Sequence, residues 1–254
     1  MLRVTRDETT AIWTMDRPEA KNALSAALLE SLTTAINDAG NDKTIRAAIL
    51  TGAGGAFASG GDLRELRGRS SAEDAGTLSD MGEYVCRRIG ELPFPVIAVL
   101  PGPAFGGGAE LAVACDLRIA EERARICFKQ ARMGVTPAWG TTPRLVALVG
   151  PSAAARLLFT AQEINVAEAR AMGLLDYVAE PGAAMATAIA WCTDIAAGSP
   201  LAVTETKRLL HAVVDQGYQT LRHLERDAFV RTWSGEDHEE AMEAYFSRRA
   251  PAWK

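Results

Sequence analysis

The sequence has little of what several common catalytic strategies require. It contains four cysteines and three histidines in 254 residues. The cysteines show no paired metal-ligand spacing and lie mostly in apolar segments, so we predict reduced core thiols rather than disulfides or zinc ligands. The histidines, His211, His223 and His238, fall in the last fifth of the chain and are predicted to lie on helix surfaces. A metal centre and a Ser-His-Asp mechanism therefore have little support.

The chain also lacks an excess of positive charge and long apolar runs. Its formal net charge is -5, which makes nucleic acid and anionic membrane surfaces poor candidate partners. Proline and glycine interrupt the apolar runs well short of the length of a membrane span, and the first residues lack the apolar region of a signal peptide. We therefore expect a cytoplasmic protein with no membrane partner.

What the chain does have is enough apolar material for a large core, at 48% of its residues. Short strand patterns alternate with helix patterns over residues 1–198, which predicts an α/β core domain. Residues 199–254 read as amphipathic helices only, and we expect them to form an appendage. The small, polar stretch from Arg67 to Thr77 is predicted to be a mobile loop.

The most informative motif is the run Phe105-Gly106-Gly107-Gly108-Ala109-Glu110-Leu111, which follows the apolar stretch 95–100. It predicts a buried strand, a tight glycine turn and a helix whose first turn carries a carboxylate. Uncovered glycine amides and the positive end of a helix both stabilise an anion. A second glycine-dense loop over residues 52–63 repeats this pattern. Either loop alone is equally consistent with a plain strand-to-helix turn, but the repetition favours anion binding.

Four segments, in order along nearly the whole chain, resemble the signatures of the crotonase, or enoyl-CoA hydratase/isomerase, superfamily. They are Asp16–Leu24, Ala56–Leu63, the stretch from Pro95 through Leu111 to Cys115-Asp116, and Glu236–Pro251. The resemblance implies a spiral of ββα units with a C-terminal helical region used in trimer packing. It also implies a homotrimer, or a hexamer made of two trimers.

The resemblance further implies a coenzyme A thioester as the substrate, with no permanently bound cofactor. The amides of Gly61 and Gly107 would then stabilise an enolate-like thioester oxygen, as paired donors do in an oxyanion hole. Glu110 would be the acid/base catalyst. The alternative for Glu110 is an acidic residue placed only to favour a helix N-terminus.

Gln130 is a departure from the resemblance, because it stands where hydratases of this superfamily carry a second glutamate. An amide can hold a water molecule but cannot carry a net proton. We therefore predict a hydratase-like lyase with altered specificity. Two alternatives stay open: an alkylmalonyl-CoA decarboxylase, which residues 115–140 also resemble and which needs one acid only, and a non-catalytic acyl-CoA-binding protein.

Other residues near these motifs have both a binding and a structural interpretation. Lys129 and Arg132 could attract a substrate carboxylate or could be solvated surface charges, and Trp139 is expected to pack at the pocket wall. Asp62 could contact coenzyme A or cap the helix after Gly61. The full set that the resemblance implies for coenzyme A binding is Lys21, Ala23, Ala58, Gly60, Asp62 and Leu63.

Overall fold

The computed structural model describes the backbone of residues 1–252 and their side chains except those of 215–222 and 224–225. Its strands are β1 (Leu2–Asp7), β2 (Thr10–Met15), β3 (Ala47–Gly52), β4 (Val96–Leu100), β5 (Ala104–Phe105), β6 (Leu117–Glu121), β7 (Arg125–Cys127), β8 (Ile164–Asn165) and β9 (Tyr177–Ala179). Its α-helices are α1 (Ala26–Asn41), α2 (Leu63–Leu66), α3 (Ala72–Glu91), α4 (Gly107–Ala114), α5 (Thr141–Thr160), α6 (Val166–Ala171), α7 (Ala184–Ala197), α8 (Pro200–Trp233) and α9 (Glu236–Ser247). Short 3₁₀ helices cover Pro18–Ala20 and Gln130–Met133.

The main sheet has the order β1-β2-β3-β4-β6-β9, with an antiparallel β1–β2 hairpin and parallel pairing from β2 onward. Every residue of β3 and β4 is buried, as expected where helices cover both faces of a parallel sheet. Alternate residues of β3 point to opposite faces: Ile49 packs in the cluster beside α7, whereas Leu50 belongs to the larger core with α1 and α3.

A second, smaller sheet has the order β5-β7-β8, and a bridge between Ala58 and Ala104 extends it by one chain segment. Three successive parts of the chain therefore repeat the same order of secondary-structure elements. Each contributes a strand to the main sheet (β3, β4, β6), a short segment to the second sheet (Ala58, β5, β7) and then a helix. This arrangement confirms the predicted spiral of ββα units followed by a C-terminal helical region.

The helix α8 packs against α3 and α5, and a buried ion pair anchors it there. The Nζ atom of Lys207 donates to the Asp116 carboxylate at 2.8 Å and to the carbonyls of Ile89 and Phe94 at 2.9 Å each. Burial disfavours a charged Asp116, but Lys207 and His211 outweigh it and hold the pKa of that carboxyl below its usual range. The contact ties α8 to the end of α3 and the start of β4.

Two predictions about local structure are wrong. The segment predicted as a mobile loop is mostly helical, because α3 begins at Ala72 with a capping box in which Ser71 and Asp74 satisfy each other's backbone amides. His238 is not a surface residue. It is 3% exposed, and its Nδ1 atom lies 2.7 Å from the carbonyl oxygen of Met133, because α9 folds back onto the 3₁₀ helix.

Among the residues whose side chains the structure describes, no single helix is long and apolar enough to cross a bilayer. The consecutive helices Ala184–Ala197 and Pro200–Val214 have the length and composition of a span only when taken together, and the pair is bent by 112°.

Candidate active site

The candidate site lies at the edge of the second sheet, where three neighbouring segments end. The Phe105 amide donates to the Ala58 carbonyl at 2.9 Å, and the Gly106 amide donates to the Cys127 carbonyl at 2.8 Å. Adjacent parallel segments have their carboxyl ends at the same edge, where ligands of α/β proteins commonly bind. The two glycine turns and the segment that leads to Gln130 therefore emerge side by side.

The first glycine turn directs the amide of Gly61 away from its neighbour Leu24. The Leu24 amide donates to the Gly60 carbonyl at 2.8 Å, and the Asp62 amide donates to the Leu24 carbonyl at 3.2 Å. In such a parallel bridge the amide between these two bonds points to the opposite side. Gly60 has φ of +101°, a conformation that favours glycine. A Cβ atom placed on Gly60 would lie 3.5 Å from the Gly107 nitrogen, so the two turns are adjacent.

The second glycine turn places Gly107 at the first position of α4. Amides in the first turn of a helix have no partner within the helix, and this end carries a positive partial charge. The amides of Ala109 and Glu110 donate back to the Gly106 carbonyl. Among the described backbone hydrogen bonds, none is donated by the amide of Gly107 or of Gly61, and both glycines are partly exposed. Both amides can therefore receive a ligand oxygen.

The carboxylate of Glu110 is 4% exposed and lies inside a ring of donors. Its Oε1 atom accepts from Gln130 Nε2 at 2.6 Å. Its Oε2 atom accepts from Thr141 Oγ1 at 2.6 Å, from the Trp139 amide at 3.1 Å and from the Ala138 amide at 3.2 Å. An ionised carboxylate is the natural acceptor for such a set of donors. These four partners lie in residues 130–141, so a segment outside α4 holds the side chain.

Gln130 is the first residue of its 3₁₀ helix and is 7% exposed. Its Nε2 atom contacts Glu110, whereas its Oε1 atom is buried with no hydrogen-bond partner among the described residues. Buried polar atoms nearly always have a partner in a folded protein, in many cases a water molecule or a ligand. Gln130 therefore presents an unsatisfied acceptor beside the carboxylate.

The residues that the resemblance implies for coenzyme A binding divide into two groups. The side chain of Lys21 is exposed. Lys21 lies beside the first glycine turn, since its carbonyl accepts from the Ser59 amide at 3.0 Å. Asp62 caps α2 by accepting from the Arg64 amide, and it pairs with Arg17 at 2.9 Å. Partial burial opposes ionisation of Asp62, but the bond and charge of Arg17 keep its pKa below the usual range.

The other positions of this set supply backbone to the same loop. Ala58 joins the two glycine turns, because its carbonyl accepts from the Phe105 amide, whereas the Gly60 carbonyl accepts from the Leu24 amide. Ala23 is buried, and its carbonyl accepts from Arg17 at 2.7 Å. Leu63 is partly exposed at the start of α2. Their positions leave Lys21 as the exposed cationic side chain of the set.

Sequence reasoning missed Thr141 and the amides of residues 138 and 139, which complete the surroundings of Glu110. No sequence spacing predicts that the start of α5 lies beside α4. The only local signal is Gly140, which favours a turn just before Thr141. Lys129 and Arg132 are not among the four hydrogen-bond donors to Glu110 named above. Lys129 Nζ lies 3.9 Å from the centroid of the Phe105 ring, and Arg132 is exposed and donates to the Thr160 carbonyl.

Two surface cavities lie away from these groups. One of about 640 Å³ runs between β1 and α1 and is lined by Val4, Trp13 and Ala35 among others. The other, of about 620 Å³, lies between α5 and α8 and is lined by Leu148 and Lys207 among others. A large apolar pocket is the usual first candidate for a ligand site, but here the reactive groups lie elsewhere.

Comparison with known proteins finds similarity along nearly the whole chain. The pattern of the family described as "Enoyl-CoA hydratase/isomerase" matches residues 5–254. This chain belongs to the enoyl-CoA hydratase/isomerase family. The match confirms the resemblance to the crotonase superfamily that the four sequence segments indicated.

Individual relatives of the family show the same coverage. The short-chain-enoyl-CoA hydratase of Clostridium acetobutylicum is 38% identical over 240 residues, covering 94% of this chain and 92% of the relative. The 2,3-dehydroadipyl-CoA hydratase of Escherichia coli is 32% identical over 253 residues, covering 100% and 98%. The solved structure of an enoyl-CoA hydratase from Mycobacterium avium subsp. paratuberculosis superimposes with a TM-score of 0.90 at 26% identity, covering 100% of this chain and 98% of that one.

Proposed function

We propose that this member of the enoyl-CoA hydratase/isomerase family is a hydratase-like lyase acting on the coenzyme A thioester of a 2,3-unsaturated acid. The observation that carries the proposal is the buried carboxylate of Glu110 in the first turn of α4, whose first residue, Gly107, lies beside the turn that holds Gly61. A base and two uncovered amide donors at one sheet edge are what enolate chemistry requires.

The two amides stabilise the charge that develops during the reaction. When water adds to the β-carbon of the substrate, the electron pair of the double bond moves toward the thioester carbonyl and its oxygen becomes anionic. The Gly61 and Gly107 amides donate to that oxygen, and the positive end of α4 adds to the effect. Such donors act most strongly where water is excluded.

Glu110 can complete the proton balance alone. Its carboxylate accepts a proton from the attacking water as the new C–O bond forms. The same proton then moves to the α-carbon of the enolate, so the hydroxyl and the hydrogen add to one face of the substrate. Gln130 holds the attacking water by accepting its second O–H at the unpartnered Oε1 atom. This role uses the amide without requiring it to transfer a proton.

A second candidate function is decarboxylation of an alkylmalonyl-CoA. The observation that favours it is the direct contact of Gln130 with Glu110, which puts an amide where a second proton carrier would stand in a two-carboxylate hydratase. In this reaction the bond to the substrate carboxylate breaks, carbon dioxide leaves and the same two amides stabilise the enolate. One proton, delivered through Glu110, completes the product.

The two functions are separated by incubating the purified protein with crotonyl-CoA and with ethylmalonyl-CoA or methylmalonyl-CoA. Loss of the conjugated double bond supports the hydratase. Release of carbon dioxide without hydration supports the decarboxylase, and tight binding with neither reaction supports a non-catalytic acyl-CoA-binding protein.

The variant Gln130→Glu sharpens this test. It introduces a second carboxylate in contact with Glu110, and one of two such neighbours is expected to retain a proton. For a hydratase that proton is available to the α-carbon, so hydration of crotonyl-CoA should increase. For a decarboxylase the added negative charge should repel the substrate carboxylate, so carbon dioxide release should fall. Gln130→Leu, which has neither an acceptor nor a proton, is the matched control.

The acyl-CoA substrate and further copies of the same chain are the partners we propose. Lys21 is suited to an anionic group of coenzyme A, because a charged donor forms the stronger hydrogen bonds. Residues 199–254 are proposed to form the trimer contact, because α8 carries the exposed apolar side chains Leu201, Leu209, Leu210 and Val213. Light scattering of the purified protein should give the mass of three or six copies, and Leu209→Glu with Val213→Glu should lower it.

A further inference from the structure

Trp139 fills the space directly beside the proposed thioester site. A Cβ atom placed on Gly107 would lie 2.6 Å from Cη2 and 2.7 Å from Cζ3 of the indole, so the outer edge of the ring closes over that glycine. A Cβ atom placed on Gly82 of α3 would lie 1.9 Å from Cε2 and 2.1 Å from Nε1 of the same ring. Only a glycine at each position leaves room for the indole, which is held between α3 and the start of α4.

The main chain of Trp139 is fixed as firmly as its ring. Its amide donates to Glu110 Oε2 at 3.1 Å, and its carbonyl accepts from Arg144 at 2.7 Å. The preceding carbonyl, that of Ala138, accepts from Ser79 Oγ of α3 at 3.4 Å. The indole therefore cannot leave its place without disturbing the partner of the candidate catalytic carboxylate.

We propose that Trp139 is the specificity-determining residue that limits the acyl chain, so that the preferred substrates carry short acyl groups of about four carbons. The inference rests on the proposed function, since it takes the thioester oxygen to lie at the Gly61 and Gly107 amides. From that point the acyl group must run past Gly107 to bring its α- and β-carbons to Glu110. The edge of the indole and the side chain of Leu24, whose Cδ1 would lie 3.4 Å from a Cβ on Gly107, border this path, and we expect a longer chain to collide with them.

The size of the expected effect follows from how apolar pockets discriminate. One methylene group too many or too few in such a pocket changes selectivity by about 10- to 200-fold. A longer chain must either displace the indole from between two helices or leave its terminal carbons in water. We therefore expect butyryl-CoA to bind at least about tenfold more tightly than octanoyl-CoA.

The test measures the affinities of butyryl-CoA and octanoyl-CoA by calorimetry in the full-length protein and its variants. Trp139→Ala should shift the ratio of the two affinities toward octanoyl-CoA by about 100-fold, and Trp139→Phe by about tenfold. The phenylalanine variant keeps an aromatic ring and decides the matter if the alanine variant does not fold. Trp191→Ala, which removes an indole on α7, is the matched control and should leave the ratio unchanged.

A parallel measurement compares the hydration of crotonyl-CoA and 2-octenoyl-CoA by the same proteins, where the ratio of kcat/KM should move in the same direction. If wild-type protein binds both acyl-CoA molecules equally, or if folded Trp139 variants keep the wild-type ratio, the inference is overturned while the proposed function stands. If wild-type protein binds neither molecule, the proposed function fails and the inference with it. Binding of saturated chains does not depend on turnover, so these results are distinguishable.

Discussion

The two halves of the candidate site are built in different ways. The glycine turns contribute main-chain amides, and backbone hydrogen bonds between Ala58, Phe105, Gly106 and Cys127 hold these turns together. The segment from Gln130 to Thr141 contributes side chains and two amides to Glu110, and it has no strand pairing of its own. It is held instead by α9, through the contact of His238 with the Met133 carbonyl.

This difference indicates which part of the site can change between related proteins without changing the reaction type. The proposed oxyanion donors are backbone amides whose positions depend on how two ββα units pack, so few substitutions can change them without changing the fold. A segment made of side chains can exchange a glutamate for Gln130, or a small residue for Trp139, and leave the donors in place. We therefore expect the amides to supply the reaction type and the segment from Gln130 to Thr141 to supply its specificity.

The largest expected effect on activity comes from the carboxylate. Glu110→Gln should lower kcat by about 10²- to 10⁴-fold, the usual contribution of a positioned acid/base group. The fold should tolerate the change, because the Gln130 amide can turn over so that its oxygen accepts from the new amide. Steady-state hydration of crotonyl-CoA gives the rate, and Glu163→Gln on the exposed surface is the control. Full turnover by Glu110→Gln would remove the assigned acid/base.

A substitution in one of the glycine turns should lower kcat by about 10²- to 10³-fold, the cost of losing one oxyanion donor. The Cβ atom in Gly107→Ala would meet the Trp139 ring at 2.6 Å, so either the turn or the indole must move. Stopped-flow measurement of hydration, together with butyryl-CoA affinity, should show a loss in rate larger than the loss in binding. Gly198→Ala, outside the site, serves as the reference; equal activity of the two variants would contradict the role of the Gly107 amide.

The smallest expected effect is on stability, and it concerns the contact between α9 and the segment from Gln130 to Thr141. Burial lowers the pKa of His238 from its ordinary value of 6.5, although its bond to Met133 opposes the shift. The unfolded chain therefore binds a proton more readily than the folded one. Stability from neutral His238 is complete above pH 6.5 and declines as the pH falls below it, toward the lower pKa of the folded state.

His238→Asn keeps a donor for the Met133 carbonyl but does not titrate. Urea unfolding at pH 8 and pH 5 should show that wild-type protein loses more stability than the variant between these values. At pH 8 the variant should be less stable by no more than about 1–3 kcal/mol, the cost of a poorly satisfied buried polar group. Equal losses of stability in both proteins between pH 8 and pH 5 would show that protonation of His238 does not contribute to the pH dependence.

The sequence was informative wherever the relevant residues are close along the chain. Residues 95–111 predicted a buried strand, a glycine turn and a helix with a carboxylate in its first turn, and the structure has all three. The segment 67–77 was misjudged because its small polar residues resemble a loop, whereas the Ser71–Asp74 capping box starts a helix there. Burial of His238 could not be predicted, because it depends on where α9 lies after the long helix α8.

By itself, the sequence determined the local conformations: glycine turns open their amides because they lack Cβ atoms, and the spacing of Gly107 and Glu110 places both on one turn of a helix. Only the tertiary structure decided which distant segments meet there. The pitch of the ββα spiral brings Gly60 to within contact of Gly107, and long-range packing puts Gln130 and Thr141 on Glu110 and Trp139 between two glycines. Contacts of this kind depend on the summed geometry of every intervening element, which no local pattern records.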